Sequence, residues 1–524
     1  VEYSGCAHIN IAVRYPAGSL EYRLVQRIPW LVVLFQIQSL RDIRARLSRP
    51  AATCALLAAV ASSSGCILTT DLPDPALDIP AAYKSDASRG QEHPPALDWW
   101  GGFRSRELTT LIEEAHTVNL DIAAATSRIL QADALARQAG ASLFPAVDGG
   151  LSATRSRSSN TSSSVTSGTT LRRGEVTTYS ATLSASYEID FWGKNRDALR
   201  AAEETANANR FDRDVVALTT MASVANAYFQ VLAAQDRIAT AQRNIASAQR
   251  VYDAIKARVD AGTGSDLDLA QQESLLGNQR AQLPPLRQTL AQNQNILATL
   301  VARPPQSLRV IGGSLNRISA PRVTPGLPSE LLTQRPDIRR QEAQLAAATA
   351  NVGSARAQFF PSIQLTGQGG YQSAALVALF SPQSAFFSLA AGLTQPIFDA
   401  GRIQANFDLT KAQQDELLQT YRKTVVSAFA DVDNALVAIR QTTERLRLQR
   451  IVVSASRRAF DLSTRQLTAG TADIVTVLNT QLTLFQAEDS LAQAQLARLQ
   501  AIVSLYQALG GGWMPKVEGA SNAL

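Results

Sequence analysis

From Tyr179 to Phe191 every second position is apolar or small: Tyr179, Ala181, Leu183, Ala185, Tyr187, Ile189 and Phe191. Between them stand Ser180, Thr182, Ser184, Ser186, Glu188 and Asp190. A period of two predicts a strand with one apolar and one wet face. The same alternation predicts incoming strands at 146–154 and 362–371, and a second return strand within 388–402. Phe144-Pro145 and Phe360-Pro361 break the helices that precede the incoming strands. Pro396 marks where pairing of the last strand ends, because proline cannot donate to a ladder.

After Gly193 the period changes. From Lys194 to Ala261, and again from Arg402 to Ala469, there is neither Pro nor Gly, and Ala, Gln, Arg and acidic residues dominate. Each run predicts one helix of roughly 100 Å at 1.5 Å per residue. Both runs end in Ala-Gly-Thr, with Gly262 and Gly470 suited to the positive φ of a helix C-cap. Ser265 and Asp473 then stand as N-caps of returning helices. Pro284-Pro285 interrupts the first returning helix, and the second has no equivalent.

The chain contains itself twice. Residues 119–147 match 335–363 at an offset of 216, with Asp121 on Asp337 and Phe144-Pro145 on Phe360-Pro361. Gly193-Lys194 matches Gly401-Arg402 at an offset of 208, and that offset holds through Gly262 and Gly470. The long helices therefore tolerate no insertion, and the difference falls between the strands. The polar stretch 158–176 is the longer loop. The order reads as follows: an upstream extension at 1–40 outside the working protein, a signal segment at 41–65, and an N-terminal segment at 66–104. The first repeat (helix, strand, strand, long helix, helix) follows at 105–303, then a linker at 304–330, a second repeat at 331–514 and a tail at 515–524.

Charge changes the picture little. Of the net +6, residues 1–65 hold +4, from seven Lys/Arg and three Asp/Glu, so the body is near neutral and no basic stripe points to nucleic acid. Cys6, Cys54 and Cys66 precede the body, which excludes a disulfide framework or a cysteine zinc cluster there. His116 reads as a surface helix residue. Gly193-Lys194 is no phosphate loop, since Glu188 stands where the first glycine belongs. No catalytic set or metal-ligand spacing is evident, so neither an enzyme nor a cofactor is expected.

The run "RDIRARLSRPAATCALLAAVASSSGC" has a basic start, a short apolar centre and a small-residue end. It resembles a bacterial lipobox with Ser63 where Leu is usual, which makes Cys66 the candidate lipid attachment site. The alternative is an ordinary secretory signal with an incidental cysteine. Four strands of about ten residues match the length of membrane-spanning strands. Four cannot close a barrel, and an open edge in lipid costs several kcal/mol per unpaired group. More than one chain must contribute.

The stretches "LLTQRPDIRRQEAQLAAATANVGSARAQFFPSIQLTG" (331–367), "QPIFDAGR" (395–402) and "LYQALGGGW" (505–513) resemble the TolC-type outer-membrane efflux family, in its NodT-like lipoprotein branch. The resemblance covers about residues 70–514. It implies a mainly α fold with β, a homotrimeric duct in which each chain gives four transmembrane strands and long periplasmic helices. It implies a lipid-anchored protein of the bacterial outer membrane, partnered by a periplasmic adaptor and an inner-membrane transporter. The function implied is a passive exit duct for small molecules or drugs, the alternative being the outlet of a type I protein secretion system. In the family the periplasmic tip is a closed gate. The residues here around the two hairpins are Arg258, Asp260, Ser265, Asp266, Arg465 and Asp473. Ser265 and Asp473 are equally well explained as N-caps, and the others as solvated surface charges.

Overall fold

The computed structural model describes residues 71–80, 82–84, 97–157, 175–321, 323, 326–511 and 513. All belong to the compact unit that runs from Leu68 to Leu524. The 1–40 extension, the 41–65 signal segment, Cys66, nearly all of the 158–176 loop and the 515–524 tail lie outside the described residues.

The two repeats build the same elements. The first holds α1 (Arg106–Val118), α2 (Leu120–Ala141), β1 (Ala146–Ser156), β2 (Val176–Ile189), α3 (Lys194–Asp260), α4 (Asp266–Ala281) and α5 (Leu283–Leu300). The second holds α6 (Pro328–Gln334), α7 (Pro336–Ala357), β3 (Ser362–Ser373), β4 (Ala385–Thr394), α8 (Arg402–Thr468) and α9 (Ile474–Ala508). The expected opening helix is two helices in each repeat, broken at Asn119 and at Arg335. The fourth strand starts earlier and ends sooner than 388–402. It runs from Ala385 to Thr394, and Pro396 follows the last paired residue as its missing N–H requires.

The strands form one antiparallel sheet in the order β1-β2-β3-β4. Both long helices have 67 residues. Each starts after a glycine with positive φ, Gly193 at 82° and Gly401 at 84°. That conformation turns a strand into a helix without the strain a Cβ would bring. A carboxylate before each glycine caps the new helix. Asp190 accepts from the N–H groups of Asn195 and Arg196 at 3.0 and 2.8 Å. Asp399 accepts from Gly401 and Ile403 at 3.0 and 2.9 Å. The Ile403 N–H foremost holds the Asp399 carboxyl below the usual carboxylate range.

At the far end both long helices close with the same paired bonds. Gly262 donates to Val259 and Thr263 to Arg258, and Gly470 donates to Leu467 and Thr471 to Gln466. This is the Schellman closure, with Gly262 and Gly470 at φ 73° and 74°. Pro284 and Pro285 sit in the first turn of α5, where they lack only bonds that a helix start never makes, so α4 and α5 part at Gln282. Without such prolines, α9 runs unbroken for 35 residues.

The long helices carry two storeys. Next to the sheet the packing order is α2-α3-α7-α8; towards the hairpins it is α4 and α5, then α3, α9 and α8. The core sits between the storeys. Trp99, Phe103, Leu108 and Ile112 pack there on Val224, Tyr228, Phe229 and Val231 of α3, with Leu297, Leu315, Ile502 and Tyr506. A second cluster joins Tyr83, Leu331 and Ile338 to Val425, Ala428 and Val432 of α8 and Leu505 of α9. Among the described residues α3 alone is long and apolar enough to cross a membrane. Its middle is apolar for another reason: Val224, Ala225, Phe229 and Val231 are fully buried in this belt of protein.

Candidate functional site

The sheet register sorts side chains by chemistry. On one face the cross-strand rows are Val147, Ala185, Gly367 and Leu389; then Gly149, Leu183, Gly369 and Phe387; then Leu151, Ala181, Tyr371 and Ala385. Rows of Tyr187, Leu365 and Ala391, and of Ile189, Ile363 and Leu393, continue it towards the helices. The other face carries Asp148, Ser184, Gln368 and Ser388, with Ser152, Ser180 and Gln372 beyond them. Phe386, opposite Gly370, and Val176, opposite Ser156, are the large apolar exceptions on this face. Leu151, Phe387 and Leu389 are each more than four-fifths exposed, so the apolar face has no protein cover within the chain. Side chains this apolar in an uncovered sheet belong against lipid, and the opposite face against water.

Where strands become helices, aromatic rings gather. Trp192 stacks on Phe360 at 4.6 Å and donates its indole N–H to the Pro361 carbonyl at 2.8 Å. Phe191 meets the edge of Trp192 at 4.9 Å. Trp192, the amphipathic ring among them, is of the kind that sits at the headgroup level of a bilayer. Lys194, rejected above as a phosphate binder, pairs with Glu188 at 3.0 Å.

At the opposite end the two hairpins of the chain pack together. Val251, Ile255 and Val259 of α3 and Leu269 of α4 meet Phe460 and Leu467 of α8 and Ile474, Val477 and Leu478 of α9. Farther up, Arg237 donates to both oxygens of Asp489, at 2.6 and 3.2 Å. The sequence-selected gate residues ring this tip without forming one network. Ser265 accepts from the Leu267 N–H at 3.2 Å, and Asp473 from the Thr476 N–H at 2.9 Å, so both cap helices. The Thr476 bonds hold the Asp473 carboxyl below its usual range. Asp260 pairs with Lys256 on its own helix at 3.1 Å. Arg258, Asp266 and Arg465 are exposed and form no ion pair with the described residues. His116 is exposed near the end of α1.

Polar anchors between the storeys escaped the sequence reading. Glu107 accepts from the N–H groups of Ile311 and Gly312, at 2.7 and 3.1 Å, and from the Tyr228 hydroxyl at 3.1 Å. Burial, together with the Glu107 charge, pushes the Tyr228 phenol up to about 12. Asp236 holds Ser314 and Leu315 at 3.1 and 2.8 Å, which fastens the 304–330 linker to α3. Arg335 donates to Asp337 at 2.6 and 3.0 Å, to Asp431 at 3.2 Å and to the Ala508 carbonyl at 3.0 Å. The repeat offset was the available signal for this last site. It puts Arg335 on Asn119, and Asn119 also bridges, capping α2 through Asp121 and Ile122 and donating to the Leu300 carbonyl at 2.8 Å.

A sheet with a lipid face and a wet face, continuous with helices of this length, is a wall segment of a membrane duct. The family model described as outer membrane efflux protein matches residues 111–303 and 327–511. The chain belongs to that family, whose members are channel proteins rather than enzymes. It is 41 % identical over 434 residues to the pyoverdine export outer membrane protein OpmQ of Pseudomonas putida, covering 83 % of this chain and 92 % of that one. To OpmQ of Pseudomonas aeruginosa it is 39 % identical over 465 residues, covering 88 % and 98 %. The open state of the Neisseria gonorrhoeae MtrE outer membrane channel superposes with a TM-score of 0.76 at 30 % identity, over 85 % of this chain and 98 % of that one. This chain is accordingly an outer-membrane channel component of an efflux system, located in the outer membrane.

Proposed function

We propose that three copies of this chain close one duct that carries small molecules from the periplasm to the exterior. The observation that carries this is the open sheet. β1 and β4 each have one unpaired edge in a sheet whose apolar face needs lipid. Open edges in hydrocarbon cost several kcal/mol per unpaired group, so the edges must pair between chains. Three copies give a barrel of roughly twelve strands, within the range of outer-membrane barrels. The flanking helices α2, α4, α5 and α8 then meet their neighbours in the same rotation. A periplasmic adaptor and an inner-membrane transporter supply the cargo and the energy. The OpmQ relatives are named for pyoverdine export, which supports pyoverdine or a molecule like it as the cargo.

Cys66 is proposed as the acylated first residue of the mature chain, a second hold on the membrane beside the barrel. Native mass measurement after gentle detergent extraction is expected to find three chains, each beginning at a lipid-modified cysteine. A stable single chain with full strand content would refute the closure, and an unmodified start elsewhere would refute the anchor.

The tip residues Arg258, Asp260, Ser265, Asp266, Arg465 and Asp473 are proposed to keep the periplasmic end narrow at rest, through contacts with neighbouring hairpins. Exposed pairs contribute about 0–1 kcal/mol each, so adaptor binding can overcome them. The pair Arg465→Ala and Asp473→Asn removes both charges and leaves an oxygen to cap Thr476. In planar bilayers this variant is expected to conduct more than the parent at equal trimer yield. Unchanged conductance would make these charges ordinary surface residues.

A further inference from the structure

We infer that Leu376, Val377 and Phe380, carried by the β3–β4 loop (residues 374–384) at the headgroup level, reach down into the acyl chains of the outer leaflet and complete the membrane band of the second repeat. The inference rests on the sheet being a barrel wall. The register makes the two repeats unequal in height. On β2 the apolar face extends from Ile189 to Tyr179, ten residues apart, and β1 places Ala153 beside Tyr179. At about 3.4 Å per residue and a tilt near 40°, that is roughly 26 Å along the membrane normal, matching the band of about 25 Å in such barrels.

On β3 the face extends only from Ile363 to Tyr371, eight residues apart. The next position, level with Tyr179, is Ser373. By the same arithmetic the band reaches roughly 21 Å, short by about 4 Å. β4 adds nothing above Ala385, the partner of Tyr371.

The loop that follows has what is missing. Leu376, Val377 and Phe380 are 62 %, 102 % and 70 % exposed, large apolar side chains clustered at a loop tip. The Phe380 ring meets Tyr371 edge-on at 5.6 Å. Tyr371 belongs to the apolar row of Leu151 and Ala181, so Phe380 stands on the lipid side of the wall and prolongs that row. Exposed apolar surface continuous with a lipid-facing band is covered most favourably by the same solvent, acyl chains. In the first repeat the band is already complete in the strands, and its loop is polar: the stretch 158–175 has no aromatic residue and only two aliphatic ones, Val165 and Leu171, among Ser, Thr, Asn, Gly, Arg and Glu.

The test uses single cysteines at Val377 and at Leu389, each labelled with a nitrobenzoxadiazole dye, with labelling of the parent chain subtracted. The trimer is reconstituted into liposomes whose phospholipids carry bromine on their acyl chains. Val377→Cys is expected to lose fluorescence at least about twofold to brominated lipid and to resist aqueous iodide, as an inserted apolar segment should. Leu389→Cys, in the middle of the band, reports the wall itself. If Leu389→Cys is quenched by brominated lipid and Val377→Cys is quenched only by iodide, the loop stands in water and the inference fails. If Val377→Cys resists both quenchers, the loop is covered by a neighbouring chain and the inference fails equally. If Leu389→Cys also escapes brominated lipid, the barrel reading falls with it.

Discussion

Leu183→Arg is expected to abolish insertion of this chain, while Ser184→Arg, one residue away, leaves insertion intact. Leu183 lies in the row of Gly149, Gly369 and Phe387, near the middle of the lipid face. An arginine near the bilayer midplane costs about 2–4 kcal/mol in a barrel of this kind, or roughly 6–12 kcal/mol over the three chains proposed to close it. That equals the entire stability of many domains. Ser184 faces the opposite way, between Asp148 and Gln368, where a guanidinium finds water and a carboxylate. Heat-modifiable trimer in the outer-membrane fraction is the readout. Equal behaviour of the two variants would mean that the faces have been assigned wrongly, because a strand's period of two leaves no other way to separate neighbours.

Arg335→Met is expected to lower the heat stability of the assembly by an amount corresponding to about 1–3 kcal/mol per chain, the cost of leaving half-buried charged partners unsatisfied. The Arg335 side chain is only 11 % exposed and its partner Asp337 24 %. Burial opposes the charge on each. For Arg335 the hydrogen bonds and charges of Asp337 and Asp431 outweigh burial and raise its pKa further. For Asp337 burial is outweighed by Arg335, with help from the Ile338 N–H, and its pKa is lowered. The folded pKa of Asp337 thus lies below its unfolded value. Its contribution is complete above the ordinary carboxylate range and fades as pH falls through the lowered value. Arg335 stays charged throughout that window. Arg335→Met strands the half-buried carboxylate of Asp337, so the double variant with Asp337→Leu should recover much of the loss. Arg335→Lys should not rescue fully, since one ammonium cannot reproduce the forked contact with both Asp337 oxygens together with the Ala508 carbonyl. A double variant no better than Arg335→Met would show that the arginine acts mainly through Asp431 and Ala508.

The two experiments probe different levels of the architecture. Leu183 belongs to a pattern visible in a window of a dozen residues. Arg335 sits at the end of α6 and joins α7 to α8 and α9, elements that lie 96 and 173 residues farther along the chain. No local window contains that information. The resemblance to the efflux family singled out the stretch around Arg335 as characteristic, but the reason for an arginine there is the place where three helices converge.

The sequence alone determined the strands, the two long helices, their hairpins and the duplication. Each rests on a short-range rule: period two against period 3.6, the absence of Pro and Gly across Lys194–Asp260 and Arg402–Thr468, the positive φ of Gly262 and Gly470, and the caps at Ser265 and Asp473. The tertiary structure decided what depends on distant partners. It made the apolar middle of α3 a protein core instead of a membrane span, because Phe103, Leu297 and Ile502 cover it. It started the fourth strand at Ala385, ahead of the expected 388, where pairing with Tyr371 begins. It divided the opening helices at Asn119 and Arg335, whose side chains bind groups far along the chain. It also set the two repeats at unequal heights, because register is a relation between strands and no strand carries it alone.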